Sequence, residues 1–228
     1  MVDDRRIRGV LFDSGDVLIR PIGGRWNPRS DFEDILLAHH PETPVERFPE
    51  AFAAGQRMLD AATTTPNRTD YHRAMLAVLG IAAPSAALLG ELEAPAARPV
   101  VEVFPDVRPV LEQLRAWGVG MVVVSDNWAG LEDGYRELGL ERYFAGFVIS
   151  EVLGCIKPDP RMYAAGREPL GLDPDDCLFV DDDPQLVLAA IELGYHGVAL
   201  LRGAGPTPAS VPAITSLDEL LPIVRATP

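Results

Sequence analysis

Gly9-Val10-Leu11-Phe12-Asp13 is a short apolar run with a carboxylate directly behind it. Such a run reads as a buried strand whose carboxyl end is polar. The pattern recurs along the chain. Residues 119–124 end at Ser125, residues 146–149 at Ser150 and residues 177–180 at Asp181, and residues 197–201 close the set. Amphipathic stretches with glycine stops lie between these runs: 107–117 before Gly118, 128–138 before Gly139, 161–170 before Gly171 and 184–193 before Gly194. Alternating strands and helices predict an α/β fold, a Rossmann-like three-layer core with a parallel sheet covered on both faces. A last helix is expected over 217–224, after a Pro-, Ala- and Gly-rich loop over 203–212.

Residues 20–98 interrupt the alternation. They carry helical patterns over 30–40, 45–62, 69–79 and 85–93, with Thr69 as the expected N-cap of the third, and no convincing strand. Pro21-Ile22-Gly23-Gly24 punctuates the entry, and Pro95 and Pro99 punctuate the exit. The expected organisation is therefore a core from residues 1–19 and 99–228 with an inserted helical module over 20–98. Phe48, Phe52, Met58 and Leu59 sit at helical spacing and are read as the insert's own core. Arg25, Trp26, His39, His40, Arg57, Tyr71, His72 and Arg73 are its candidates for lining a cleft.

The 228 residues include 47% hydrophobic and 24% charged side chains, which suits a compact folded chain. The net charge of −14 opposes binding to a polyphosphate backbone, so nucleic acid is not an expected partner. Two cysteines, Cys155 and Cys177, make neither a disulfide framework nor a metal-ligand pattern, and a reducing cytoplasm is the expected location. Cys155 reads as a small buried filler, or as a reactive thiol if exposed beside Lys157. The apolar run at 10–12 is too short for a secretion signal or a membrane span, so no membrane association is expected.

In an open parallel sheet, ligands gather outside the carboxyl ends of the strands. Asp13, Ser125 and Asp181-Asp182-Asp183 occupy those ends. Taken singly, each has a plain structural reading as a helix cap or turn residue. Together, the carboxylates would repel and raise one another's pKa unless a cation lay among them. With no His or Cys nearby, hard oxygen donors favour Mg²⁺.

These residues resemble the four short motifs of the haloacid dehalogenase superfamily, in its order and across essentially the whole chain. Val10-Leu11-Phe12-Asp13-Ser14-Gly15-Asp16-Val17-Leu18 is similar to the first and Val122-Val123-Val124-Ser125-Asp126-Asn127 to the second. Lys157-Pro158-Asp159-Pro160 resembles the third, and Phe179-Val180-Asp181-Asp182-Asp183-Pro184 the fourth. The resemblance implies Asp13 as nucleophile, Ser125 as a hydrogen-bond donor to a phosphoryl oxygen and Lys157 as the counter-charge. It implies Asp13, the Gly15 carbonyl, Asp181 and Asp182 as the metal set, and Ser14, Gly15 and Asn127 as neighbours of the substrate. Residues 20–98 would be the helical cap that selects substrate. Asp183 reads as the N-cap of the following helix, while Asp16 and Asp126 receive no chemical role.

Superfamily phosphatases usually carry a second aspartate two residues after the nucleophile, as the general acid, and here that residue is Gly15. A general acid contributes about 10²- to 10⁴-fold. The resemblance thus implies a Mg²⁺-dependent phosphatase of a small phosphorylated metabolite, such as a sugar phosphate, working as a monomer or homodimer. Two alternatives stand beside it. One is a metal-independent 2-haloacid dehalogenase-like hydrolase; the other is a weakly catalytic ligand-binding or regulatory member of the fold.

Overall fold

The computed structural model describes residues 7–203 and 210–226. The chain divides into two compact units, one formed by Met1–Ile19 with Val103–Pro228 and the other by Arg20–Glu102. In chain order the first elements are β1 (Gly9–Phe12) and β2 (Ile19–Pro21), then α1 (Phe32–His39), α2 (Phe48–Asp60), α3 (Arg68–Val78) and α4 (Ala86–Glu93). Then come β3 (Val101–Val103), α5 (Val107–Ala116), β4 (Gly120–Ser125), α6 (Leu131–Glu137) and β5 (Gly146–Ile149). The rest are α7 (Ser150–Leu153), α8 (Pro160–Arg167), β6 (Cys177–Asp181), α9 (Pro184–Glu192), β7 (His196–Leu200), β8 (Ala213–Ile214) and α10 (Leu220–Ala226).

The larger unit is an α/β fold around a six-stranded sheet in the order β5-β4-β1-β6-β7-β8, parallel at every pairing. The chain leaves β1 for β4 on one side and later returns to β6 on the other, which opens a topological switch point at β1. Phe12 is level with Val123 of β4 and with Val180 of β6. Asp13 and Asp181 therefore emerge side by side, each one residue past a paired position. Ser125 follows one step further along β4.

Both faces of the central strands are buried, which is why they read as continuous Val/Leu/Phe runs rather than as alternation. On one face Leu11, Val122, Val124 and Phe179 pack with Met162 and Tyr163 of α8 and Val187 and Ala190 of α9. The Tyr163 ring meets Phe179 edge-on at 5.0 Å. Gly166 lets α8 lie directly on the sheet: a Cβ there would come within 2.7 Å of Val124 and 3.2 Å of Leu11. This close packing anchors the loop before α8, which carries Lys157.

Several expected boundaries shift for local reasons. The helix expected over 128–138 begins only at Leu131, because Gly130 takes a left-handed φ of 96° that starts α6 afresh. The fourth expected helix of the larger unit ends at Glu192, and residues 168–170 continue α8 as a 3₁₀ turn. In the smaller unit Asn67, not Thr69, caps α3, its side chain accepting from the Asp70 N–H at 3.2 Å. Ser85 caps α4 through the Leu88 N–H. Strands β2 and β3, which pair with each other, were not expected, nor were β8 and the one-turn α7. Each is too short to carry a periodic signal. Of the loop expected over 203–212, residues 204–209 lie outside the described residues, as do residues 1–6. Among the described residues no helix is long and apolar enough to cross a membrane.

The smaller unit is helical, with Phe32, Leu36, Phe48, Ala51, Tyr71, Met75 and Leu76 buried in its interior. Phe32 meets Phe48 and Phe52 edge-on and stacks against His72. Phe52, Met58 and Leu59 are only half-buried, so the expected core position of the last two is partial. Arg25 lies over the Phe52 ring at 4.4 Å and pairs with Glu33. His39 bonds Glu91 at 2.8 Å. His72 is 7% exposed, and its Nδ1 finds no hydrogen-bond partner among the described residues.

Burial, with smaller opposing and supporting effects from Glu93, Arg68 and Arg29, holds the His72 imidazole down to about 4. The unfolded chain takes up this proton near pH 6.5, whereas the folded unit resists it. The stability that this residue contributes is therefore complete above pH 6.5 and is lost progressively toward pH 4, by about 3 kcal/mol in all. Urea melts at pH 7 and pH 5 should show the wild type losing stability relative to His72→Leu by most of this amount. An equal loss in both proteins would place the acid sensitivity elsewhere.

Candidate active site

Three carboxylates and one ammonium define the site. Lys157 Nζ donates to Asp13 Oδ1 at 2.6 Å and to Asp181 Oδ2 at 2.7 Å. The lysine is 5% exposed, Asp13 8% and Asp181 1%, so both pairs are shielded from water. Oxygens of Asp13, Asp181 and Asp182 lie within 4.8 Å of one another. The structure thus brings together residues from β1, β6 and the loop before α8.

Backbone geometry fixes these positions. The Asp13 N–H donates to the Val180 carbonyl at 2.8 Å, continuing the sheet ladder by one residue. Asp181 Oδ1 accepts the Asp183 N–H at 2.9 Å, which turns the chain so that Asp182 can face Asp13. Asp183 caps α9 through the Gln185 N–H at 2.8 Å, as its place before Pro184 predicts.

The electrostatics are those of excess negative charge. Burial pushes the Asp13 carboxyl up, and Lys157 pulls it back down. Asp181 is raised to about 6, first by burial, with Lys157 opposing and Asp13 adding to the rise. Asp182 is exposed, but a carboxylate oxygen of it lies within 4.8 Å of those of Asp13 and Asp181. Partial burial there, with the charges of Asp181, Asp13 and Asp16, raises it to about 7. Burial alone would lower Lys157, but Asp13, Asp181 and Asp126 outweigh it and hold the ammonium above its usual range. A single ammonium does not balance three converging carboxylates. The donor set, all hard oxygen, fits a small divalent cation such as Mg²⁺.

Ser125, at the end of β4, is 3% exposed. Asn127 is half-buried, its Oδ1 taken by the Trp128 N–H at 2.8 Å and its own N–H by Ser150 Oγ at 2.9 Å. The Ser14 hydroxyl points inward to Tyr135 Oη at 2.8 Å, so what Ser14 offers the site is its backbone N–H, which bonds Asp13. Gly15 bridges to Ile19 in a tight turn, and the left-handed backbone falls on Asp16 (φ 54°) rather than on Gly15. Cys155 is buried, and burial raises its thiol, so it is a filler rather than a reactive group.

Sequence reasoning passed over three supporting residues. Asp126 accepts the Lys157 N–H at 3.0 Å and so ties the lysine loop to β4. Tyr135 is wholly buried against Phe144 and Phe147 and holds the Ser14 hydroxyl. Ser150 brackets Asn127, donating to its carbonyl at 3.2 Å. Asp126 had a signal, a carboxylate beside a strand-end serine. Ser150 had one too, as the polar residue that ends the 146–149 run, whereas Tyr135 had none, because its partner Ser14 is distant in sequence.

This fold and this arrangement of residues agree with the family comparison. The model of the haloacid dehalogenase-like hydrolases matches residues 7–194, and the chain belongs to that family. Among curated proteins, Acyl-CoA dehydrogenase family member 10 of Mus musculus is 27% identical over 206 residues, covering 87% of this chain and 18% of that protein. Phosphoglycolate phosphatase 1 of Pseudomonas aeruginosa is 33% identical over 132 residues, covering 54% of this chain and 47% of that protein. The chain thus spans less than half the length of either relative. Among solved structures, a 2-haloacid dehalogenase from Pseudomonas syringae pv. Tomato is 25% identical with a TM-score of 0.69, covering 96% of this chain and 98% of its own.

Proposed function

We propose that the chain is a Mg²⁺-dependent phosphatase of a small phosphorylated metabolite, with Asp13 as nucleophile. The carrying observation is the trio Asp13, Asp181 and Asp182, whose oxygens lie within 4.8 Å of one another while the one ammonium bonds only the first two. Repulsion among them is relieved by a divalent cation, whereas an enzyme that needs no metal would leave these carboxylates uncompensated. Asp13, the Gly15 carbonyl, Asp182 and, directly or through water, Asp181 would hold the ion. When bound, Mg²⁺ supplies positive charge to the phosphoryl oxygens.

In this reading an Asp13 carboxylate oxygen attacks phosphorus, the bond from phosphorus to the ester oxygen breaks, and the alkoxide takes a proton from water. A second water then attacks phosphorus, the bond from phosphorus to the Asp13 oxygen breaks, and inorganic phosphate leaves with the carboxylate restored, the proton lost by this water neutralising the hydroxide left by the first. Lys157 balances the charge of the nucleophile, Ser125 orients a phosphoryl oxygen, and the Ser14 N–H holds the Asp13 carboxylate beside the substrate. Asn127 borders the substrate, and residues 20–98 act as the cap that chooses it.

A dehalogenase reading is favoured by Gly15, which leaves no acid two residues after the nucleophile, and by the 25% identity to a 2-haloacid dehalogenase over nearly the whole chain. There Asp13 would displace halide from carbon, and water would hydrolyse the ester. Thermal melts with Mg²⁺ and with chelator, followed by parallel release assays on phosphate esters and 2-haloacids, separate the two. The phosphatase reading expects Mg²⁺ to raise the melting temperature by mass action and phosphate release to require it. Halide release unaffected by chelator would replace it with the dehalogenase.

The same reading expects a steep dependence on leaving group, because Gly15 cannot protonate the departing oxygen. Anomeric, acyl and aryl phosphates should turn over faster than alkyl phosphates, and Gly15→Asp should flatten the series by raising the rate on poor leaving groups. Comparison of kcat/KM across esters of graded leaving-group pKa measures this. A flat wild-type series would show that another group already supplies the proton.

A further inference from the structure

The turn that follows Asp13 is held from outside by a residue far along the chain. Ser14's carbonyl accepts the Leu18 and Ile19 N–H groups at 3.0 and 3.1 Å, and the Asp16 N–H donates to Ile19's carbonyl at 2.8 Å. Closing so short a turn forces Asp16 to a φ of 54°, the one non-glycine among the described residues in that region. Strained backbone of this kind persists only where its surroundings over-determine it.

Arg202, two residues past β7, supplies that restraint. Its Nε donates to the Asp16 carbonyl at 3.1 Å and one terminal nitrogen to the Val17 carbonyl at 2.7 Å. The other terminal nitrogen donates to Asp106 Oδ2 at 2.8 Å, and the guanidinium lies 3.8 Å over the Phe104 ring. Phe104 itself donates its N–H to the Leu18 carbonyl at 3.2 Å. Asp106 is fixed in turn by the Leu217 N–H at 2.8 Å and Ser216 Oγ at 3.2 Å. One planar fork thus grips two successive carbonyls of the turn and ties them to the start of α5 and to the segment before α10. A lysine has neither the fork nor the stacking plane.

We propose that Arg202 is a positioning residue of the active site, which holds the Asp16–Val17 backbone so that Asp13 and Gly15 stay in register with Asp181 and Asp182. The catalytic consequence rests on the hydrolase reading above; the restraint on the turn does not. Misplacement of a nucleophile by a fraction of an ångström lowers turnover without weakening substrate binding, so the effect falls on kcat rather than KM.

Arg202→Ala and Arg202→Lys, compared with the wild type, test this by kcat and KM on the best substrate, global melting, and hydrogen exchange of the amides of residues 14–19 in metal-free protein. The expected result is a kcat about 10- to 100-fold lower with KM nearly unchanged, faster exchange confined to 14–19, and partial rescue of Arg202→Ala by methylguanidinium. If Arg202→Ala does not fold, Arg202→Lys, which keeps the charge but not the fork, should still show the kcat loss and the local exchange. The proposal is overturned if 14–19 stay protected with kcat intact, or if exchange quickens evenly through the core, as a purely structural arginine would cause. A wild type that turns over neither phosphate esters nor haloacids would sink the hydrolase reading instead, and the exchange of 14–19 would still decide for or against the restraint.

Discussion

Asp13→Asn should abolish turnover while leaving the fold intact. The amide keeps the shape of the carboxylate, and its oxygen can still accept from Lys157 Nζ, which bonds Asp13 Oδ1 at 2.6 Å. It cannot act as an anionic nucleophile, so the rate should fall by at least about 10³-fold, as when other covalent catalysts lose theirs. Stability should hold or rise, since burial already disfavours the charged form of this side chain and one like charge leaves the cluster. Acid-quenched wild type sampled during turnover should carry one phosphoryl group by intact mass, and the variant none. Residual activity near the wild-type level would mean that a different group, or a bound water, makes the attack.

The central sheet was legible because its strands are buried on both faces, so hydrophobicity marks the runs 9–12, 119–124 and 177–180, within a residue of the strands Gly9–Phe12, Gly120–Ser125 and Cys177–Asp181. The strand-end residues Asp13, Ser125 and Asp181 followed from the same reading, since parallel register brings equivalent ends level. Lys157 was named only through the motif it resembles. Nothing local in Ile156-Lys157-Pro158 says that the side chain turns inward to two carboxylates. The Ser14 hydroxyl bond to Tyr135 and the Arg202 grip on the nucleophile turn were not legible at all, joining residues 121 and 185–186 positions apart. Contacts of that span leave no periodic trace. Short elements failed for a related reason: β2, β3 and β8 are held by neighbours, not by any preference of their two or three residues.

Lys157→Met should be the most damaging single change to stability and activity together. The ammonium is buried, bonds Asp13 and Asp181, and lies 5.6 Å from the Phe179 ring centre, so methionine fills the space but cancels no charge. Two shielded carboxylates then face each other with Asp182 beside them. Removing one partner of a buried ion pair costs about 3–5 kcal/mol, because the other charge remains without compensation. The folded variant should retain protons on Asp13 and Asp181 at pH values where the unfolded chain has lost them; Asp181 is already raised to about 6 with the lysine present. At these two groups the folded variant then binds more protons than the unfolded chain, so its stability relative to the wild type must rise as pH falls from 7 toward 5, narrowing the gap between them. Mg²⁺ should stabilise the variant more than the wild type, since the ion meets a larger uncompensated charge, yet turnover should remain about 10²- to 10³-fold down for want of the counter-charge on the nucleophile and phosphoryl group. Paired thermal melts at pH 7 and pH 5.5, with and without Mg²⁺, read all of this. A melting gap that stays constant with pH would show that the lysine stabilises by packing its stem, not by neutralising the two aspartates.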